Sequence, residues 1–201
     1  MNKTSIVRAQ NSTTYRAAPT PMRKGTARLT LLMVLGSETV FFGMLIAAYL
    51  YLRASQATST FIHTPVDQLG GPILNTLILL ASAGAATLAG WSIRRGKKDA
   101  LVGWLGVTVV LGLIFIGGQV LEYLHSGMTP ADQSYGGVFF TLMGFHALHM
   151  LAGSVVVALA LVRARLGDFT ARRHTAVDVS IGFWYYVVVV WLVLFTVLYL
   201  V

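Results

Sequence analysis

Five long apolar runs constrain this chain more than any other feature. They lie at about 29–52, 72–93, 100–123, 136–162 and 177–201. A bilayer span needs roughly 20 residues at a rise of about 1.5 Å each, and all five runs are long enough. Lipid offers backbone N–H and C=O groups no partner, so the runs are expected to be helices. A membrane barrel would show alternating segments of about ten residues, and the sequence has none. Only 11% of residues are charged and 56% are hydrophobic, where a soluble domain carries about 25% charged residues. So few charges cannot cover the surface of a water-soluble fold, which excludes an ordinary cytosolic domain, a disordered chain and a coiled coil. The lack of cysteine excludes disulfides, Cys-based zinc or iron–sulfur sites, thiolate haem ligation and a thiol nucleophile.

The charges sit in the connectors. Residues 1–28 hold Lys3, Arg8, Arg16, Arg23, Lys24 and Arg28 with no acid. The next basic connector holds Arg94, Arg95, Lys97 and Lys98, and the third holds Arg163, Arg165, Arg172 and Arg173. Fourteen of the 15 basic residues therefore fall on three connectors that a five-span chain keeps on one side. The other side has Arg53, with Asp67, Glu122 and Asp132. The positive-inside rule then predicts the N-terminus inside and the C-terminus outside. The net charge of +8, which in a soluble protein would point to nucleic acid, reads here as a topology signal, with no nucleic-acid partner. Trp91 and Trp104 are expected near the inner interface, and Tyr49, Tyr51, Tyr123 and Tyr199 near the outer one. Residues 1–28 read as a basic cytoplasmic tail, although an acid-free, Arg-, Ser- and Thr-bearing start also resembles a mitochondrial transit peptide. Gly103, Gly106, Gly117, Gly118, Gly136, Gly137, Gly144 and Gly153 are expected at close helix approaches.

Three polar residues interrupt the apolar spans. Glu38 lies nine residues into the first run, about 14 Å deep at 1.5 Å per residue. An ionised carboxylate there is costly, so the group is expected to be neutral or paired. It reads either as a protonated hydrogen-bond donor tying helices together or as a proton-handling group. His146 and His149 lie near the middle of the fourth run, at a spacing that puts them on one helix face. Their depth matches that of Glu38, so a Glu–His contact is geometrically available. The pair reads either as hydrogen-bonded to backbone or lipid, or as a metal or haem ligand set. Haem between helices needs His on facing helices, and only one run carries His near its centre. Gln119 and Glu122, one turn apart at the outer end of the third run, face either the bundle or water. No complete catalytic set and no metal site emerges.

Several motifs occur in order. Ser37-Glu38 is followed by Phe41-Phe42 and Tyr49-Leu50-Tyr51-Leu52-Arg53. Then come Gln119 to Tyr123, Gly144-Phe145-His146-Ala147-Leu148-His149-Met150 with Gly153, and Phe183-Trp184-Tyr185-Tyr186 through Trp191-Leu192, Phe195 and Tyr199. Together they resemble subunit III of haem–copper terminal oxidases, in the short five-helix bacterial form. The last helix departs from the family, with Tyr185 and Val188 where a His and an Asp are usual. The resemblance implies an all-α membrane protein: a V-shaped bundle of five helices in two arms, the first two spans against the last three, with phospholipids in the cleft. It implies no haem or copper in this chain. Both belong to the partner, the catalytic subunit I, with subunit II beside it. The whole would transfer electrons from cytochrome c to O2 in a bacterial plasma membrane. Subunit III would stabilise the proton-pumping subunit. Accessory subunits of quinol oxidases or nitric-oxide reductases are similar. Readings of another class are an independent proton or solute transporter using Glu38, and a homodimeric haem protein using His146 or His149.

Overall fold

The structure, a computed structural model, describes residues 24–55, 70–125, 133–171 and 174–200. These fold into five helices: α1 Lys24–Ser55, α2 Gly70–Arg94, α3 Lys98–His125, α4 Gln133–Arg165 and α5 Thr175–Phe195. A π-helical turn, Thr196–Leu200, continues α5. All five are long and apolar enough to cross a membrane. Apart from the C-terminal end of α5, the helices overrun the apolar runs by a few residues, because a helix continues until its backbone is capped rather than until its hydrophobicity ends. The 33 residues of α4 span about 50 Å, well beyond a hydrocarbon core of about 30 Å. Of the basic tail, Lys24–Arg28 already belongs to α1, and residues 1–23 lie outside the described residues.

Two helix ends share one capping device. Gly96 has φ 73° and Gly167 has φ 82°, a left-handed conformation open mainly to glycine. The Gly96 N–H donates to the Ile93 carbonyl and the Lys97 N–H to that of Ser92, each at 3.0 Å. Gly167 and Asp168 repeat the pattern on Ala164 and Arg163. These are Schellman caps, which satisfy carbonyls left open by the last turn. The first reverses the chain within a few residues and sets α3 antiparallel to α2.

Helices α2, α3, α4 and α5 close into a ring, each packed on the next, and α5 returns to α2. Helix α1 lies outside the ring against α4 and α5. This corrects the expected grouping, since the first two spans do not form an arm of their own. The reason lies in α2. Its buried face (Asn75, Leu79, Ser82, Ala86, Ala89 and Ile93) repeats at helical spacing, and it is consumed by α3 and α5. The exposed face of α1 carries Leu32, Met33, Val40 and Met44, a composition suited to acyl chains.

Trp184 holds the ring together. Its indole is fully buried, and its Nε1–H donates to Ser82 Oγ on α2 at 3.1 Å. The ring lies against Gly112 of α3 and Gly153 of α4. A Cβ on Gly112 would sit 2.5 Å from Trp184 Cη2, and one on Gly153 3.2 Å from Cε3. Two turns on, Trp191 Nε1–H donates to Thr76 Oγ1 at 3.0 Å. The two indoles thus clasp α5 antiparallel to α2. Of the glycines expected at close approaches, Gly118 and Gly153 are so placed, Gly118 against Asn75. Gly103, Gly106, Gly117, Gly137 and Gly144 have open space where a Cβ would go. The surroundings of Gly136 lie outside the described residues. Trp91, Trp104 and Tyr51 are exposed, as interfacial rings would be, but Tyr49 is buried in the core. The side chain of Tyr123 lies outside the described residues.

Gly112→Ala drives a methyl group into a rigid, hydrogen-bonded indole. It is expected to destabilise the bundle by about 1–3 kcal/mol, the usual penalty for overpacking, read as a lower melting temperature in detergent. Gly117→Ala, with open space at the same helix, serves as the neutral control.

Candidate functional site

Glu38 and His149 meet at mid-depth. His149 stands sixteen residues from either end of α4, and Glu38 lies near the middle of α1. His149 Nε2 is 2.9 Å from Glu38 Oε2, and its Nδ1 is 2.7 Å from the Phe145 carbonyl. The carbonyl can only accept, so Nδ1 carries a hydrogen. Nε2 and Oε2 then share a single proton. Either a neutral carboxylic acid donates to a neutral imidazole, or an imidazolium donates to a carboxylate. Both forms are neutral as a pair, which is what a low-dielectric setting demands. The side chains are 16% and 29% exposed, so the pair opens toward the bundle surface. Phe42 packs edge-on against the imidazole, with centroids 5.1 Å apart. The Tyr186 hydroxyl lies 3.5 Å from Thr39 Oγ1, one residue from Glu38.

His146 does not join the pair. A three-residue step turns a side chain by about 60°, enough to aim His146 inward while His149 reaches α1. His146 is 2% exposed. It lies among the rings of Trp191 (5.2 Å), Phe115 (6.4 Å) and Phe42 (6.4 Å), and neither nitrogen has a hydrogen-bond partner among the described residues. Gln119 faces the bundle: its Oε1 accepts from Asn75 Nδ2 at 3.1 Å, and the same amide reaches the Phe115 carbonyl. Glu122 Oε1 accepts from the Tyr199 hydroxyl at 3.2 Å. Gln119 and Glu122 therefore fasten α3 to α2 and to the end of α5, apart from Glu38 and His149. Among the described residues no three His, Asp or Glu side chains gather as a metal would require.

Where the last helix departs from the oxidase pattern, it makes other contacts. Tyr185 bonds to Thr87 of α2 through their hydroxyls at 2.6 Å, and Val188 is buried among apolar groups. Asn75, Ser82 and Thr76 were not singled out from sequence, and Trp184 and Trp191 entered only as part of the last helix's motif, without their role as a clasp. The available signal was the seven-residue spacing of Trp184 and Trp191, facing small hydroxyl residues six apart on an antiparallel helix.

The fold and site together define a class: a five-helix, membrane-spanning-type bundle with one mid-depth carboxyl–imidazole pair. Comparison with known proteins gives the particular family. The sequence profile of cytochrome c oxidase subunit III matches residues 6–201. Cytochrome c oxidase subunit 3 of Thermostichus vulcanus is 35% identical over 173 residues, 86% of either chain. The human protein of that name is 31% identical over 192 residues, covering 92% of this chain and 74% of the relative. That of Cyprinus carpio is 35% identical over 188 residues, covering 89% and 70%. The chain belongs to the cytochrome c oxidase subunit III family, and a place in the respiratory chain follows from that membership.

Substitutions at Glu38 separate a neutral pair from a wet site. Glu38→Gln keeps a donor for His149 Nε2 and leaves the amount of assembled protein nearly unchanged. Glu38→Lys brings an uncompensated charge to mid-depth, at about 2.5–3.5 kcal/mol, and assembly falls steeply. Equal yields of the two variants after membrane extraction would mean that the carboxyl is solvated.

Proposed function

We propose that this chain is the non-catalytic subunit III of a haem–copper terminal oxidase that passes electrons from cytochrome c to O2 in a bacterial plasma membrane. Subunit I, with subunit II beside it, holds the haem and copper and pumps protons; this chain stabilises subunit I within the membrane. The observation that carries the reading is the family match along nearly the whole chain. The similarity to cytochrome c oxidase subunits favours cytochrome c over quinol as donor and O2 over nitric oxide as acceptor. The site supports it as well: Glu38 is engaged with one histidine, and His146 is enclosed by aromatic rings. Such groups can hold a proton and brace helices but cannot make a redox centre by themselves. Neither the transporter nor the homodimeric haem reading gains an observation in its favour.

The domain from residue 29 onward sits with its N-terminus inside and its C-terminus outside, because the arginine-rich connectors favour the cytoplasmic face. The basic residues of 1–28 serve this topology. Structural phospholipids bind around the bundle, whose surface is rich in exposed Leu, Val and Ile.

Purification of the tagged full chain from its own membrane is expected to bring a haem-bearing partner, visible in a reduced-minus-oxidised spectrum, together with O2 uptake driven by reduced cytochrome c. A colourless preparation would overturn the assignment. Uptake with quinol but not cytochrome c would move it to a quinol oxidase.

A further inference from the structure

The placement of α1 outside the ring leaves a gap beside α2. A cleft of about 510 Å³ opens there, between α1, α2 and α5. Arg28 stands on the α1 side. Helix α2 supplies Leu88, Trp91 and Arg94, and α5 supplies Asp178, Ile181 and Tyr185. The cleft is polar at one end and apolar along its length. From Asp178 to Tyr185 it runs about 10 Å down α5, at 1.5 Å per residue. At the deep end the Tyr185 and Thr87 hydroxyls satisfy each other, so they demand nothing of an occupant. Gly90 and Gly182 keep the walls low: a Cβ on Gly90 would meet Ile181, and one on Gly182 would meet Leu31 of α1.

The mouth is positively charged. Arg94 Nη2 is 3.6 Å from Asp178 Oδ1, and His174 Nε2 is 3.5 Å from Oδ2 of the same carboxylate. Asp178 is thus shared between two partners. Arg28 makes no ion pair among the described residues. The guanidinium of Arg95 stacks on Trp91 at 3.6 Å, adding a further positive charge beside the mouth. An aromatic ring and arginines at one level, above an apolar slot, match a headgroup phosphate with an acyl chain below it. A helix is about 10–12 Å across, too thick for a slot of this volume.

We infer that the cleft between α1, α2 and α5 binds one anionic phospholipid, its phosphate held by Arg28 and Arg94 and the first part of one acyl chain lying along Leu88, Ile181 and Tyr185. The inference deepens the lipid association proposed above and rests on it. It assigns that association a place other than a gap between a two-helix and a three-helix arm.

The test uses the complex purified through the full chain and exchanged into micelles holding a mixture of phosphatidylcholine and phosphatidylglycerol. Retained lipid is counted by native mass spectrometry. About one phosphatidylglycerol per complex should depend on the cleft. Arg28→Gln with Arg94→Gln should weaken its retention by roughly 10- to 30-fold, from the usual contribution of two basic residues at a membrane surface. Arg28→Lys with Arg94→Lys should restore most of it. Lys97→Gln with Lys98→Gln removes the same charge at the same end, outside the cleft, and should leave retention unchanged. Equal loss in the two Gln pairs would reduce the effect to bulk electrostatics and overturn the site. Release of the lipid by inorganic phosphate would make it a free-anion site and overturn the lipid assignment. Lipid retained but indifferent to Arg28 and Arg94 would refute the cleft alone. Absence of any retained lipid would refute the broader association as well.

Discussion

Trp184 is the contact on which the bundle depends. Helices in lipid gain little from hydrophobicity against one another, since acyl chains are as apolar as leucine. Close packing and a few polar contacts hold them. One indole supplies both at a point where four helices meet. It belongs to α5, donates to Ser82 of α2, and lies against the glycine backbones of α3 and α4 at Gly112 and Gly153. Trp191 repeats the clasp toward Thr76, and beside it the Asn75–Gln119 amide pair pins α2 to α3. Among the described residues, the buried side-chain nitrogens and oxygens left without a partner are the two imidazole nitrogens of His146 and, at the start of α5, Nδ1 of His174.

Once the ring is closed by α2 to α5, α1 can only lie on its outside. Two features follow from that position. Glu38 reaches His149 from the flank, and the pair holds one proton between two groups that remain neutral together. Beside α2, where α1 leaves the ring uncovered, the arginine-lined cleft opens. The carboxyl–imidazole pair and the cleft thus share one cause, the packing of α1 on α4 and α5 rather than on α2. The pair lies at mid-depth and the cleft at the arginine-rich end, so neither needs the other.

The five helices were legible because hydropathy is a local property: each apolar run states its own length and its own need for internal hydrogen bonds. The Glu38 site was half legible. Depth along two spans can be counted from sequence, and that count brought Glu38 and the histidines to one level. It could not tell which histidine would turn toward α1, because neighbouring positions on a helix face differ by a rotation that only the partner helix decides. His149 makes the contact and His146 goes to the core. The glycines show the same limit. Gly118 and Gly153 meet partners, whereas Gly103 and Gly117 meet open space, and nothing within their own stretches of sequence distinguishes them. Tyr49 was expected at an interface and lies in the core for the same reason.

Sequence by itself determined the number of spans, the gathering of basic residues on three connectors and, through ordered motifs from Glu38 to Tyr199, the family. These are properties of single segments or of their order. Only the tertiary structure decided that α1 stands outside the ring, that Tyr185 turns to Thr87, and that Arg28 and Arg94 frame one cleft. Those facts depend on which helix faces meet. Faces are chosen by the fit of side chains such as Trp184 across helices far apart in the chain, and hydropathy along one segment carries no record of that fit.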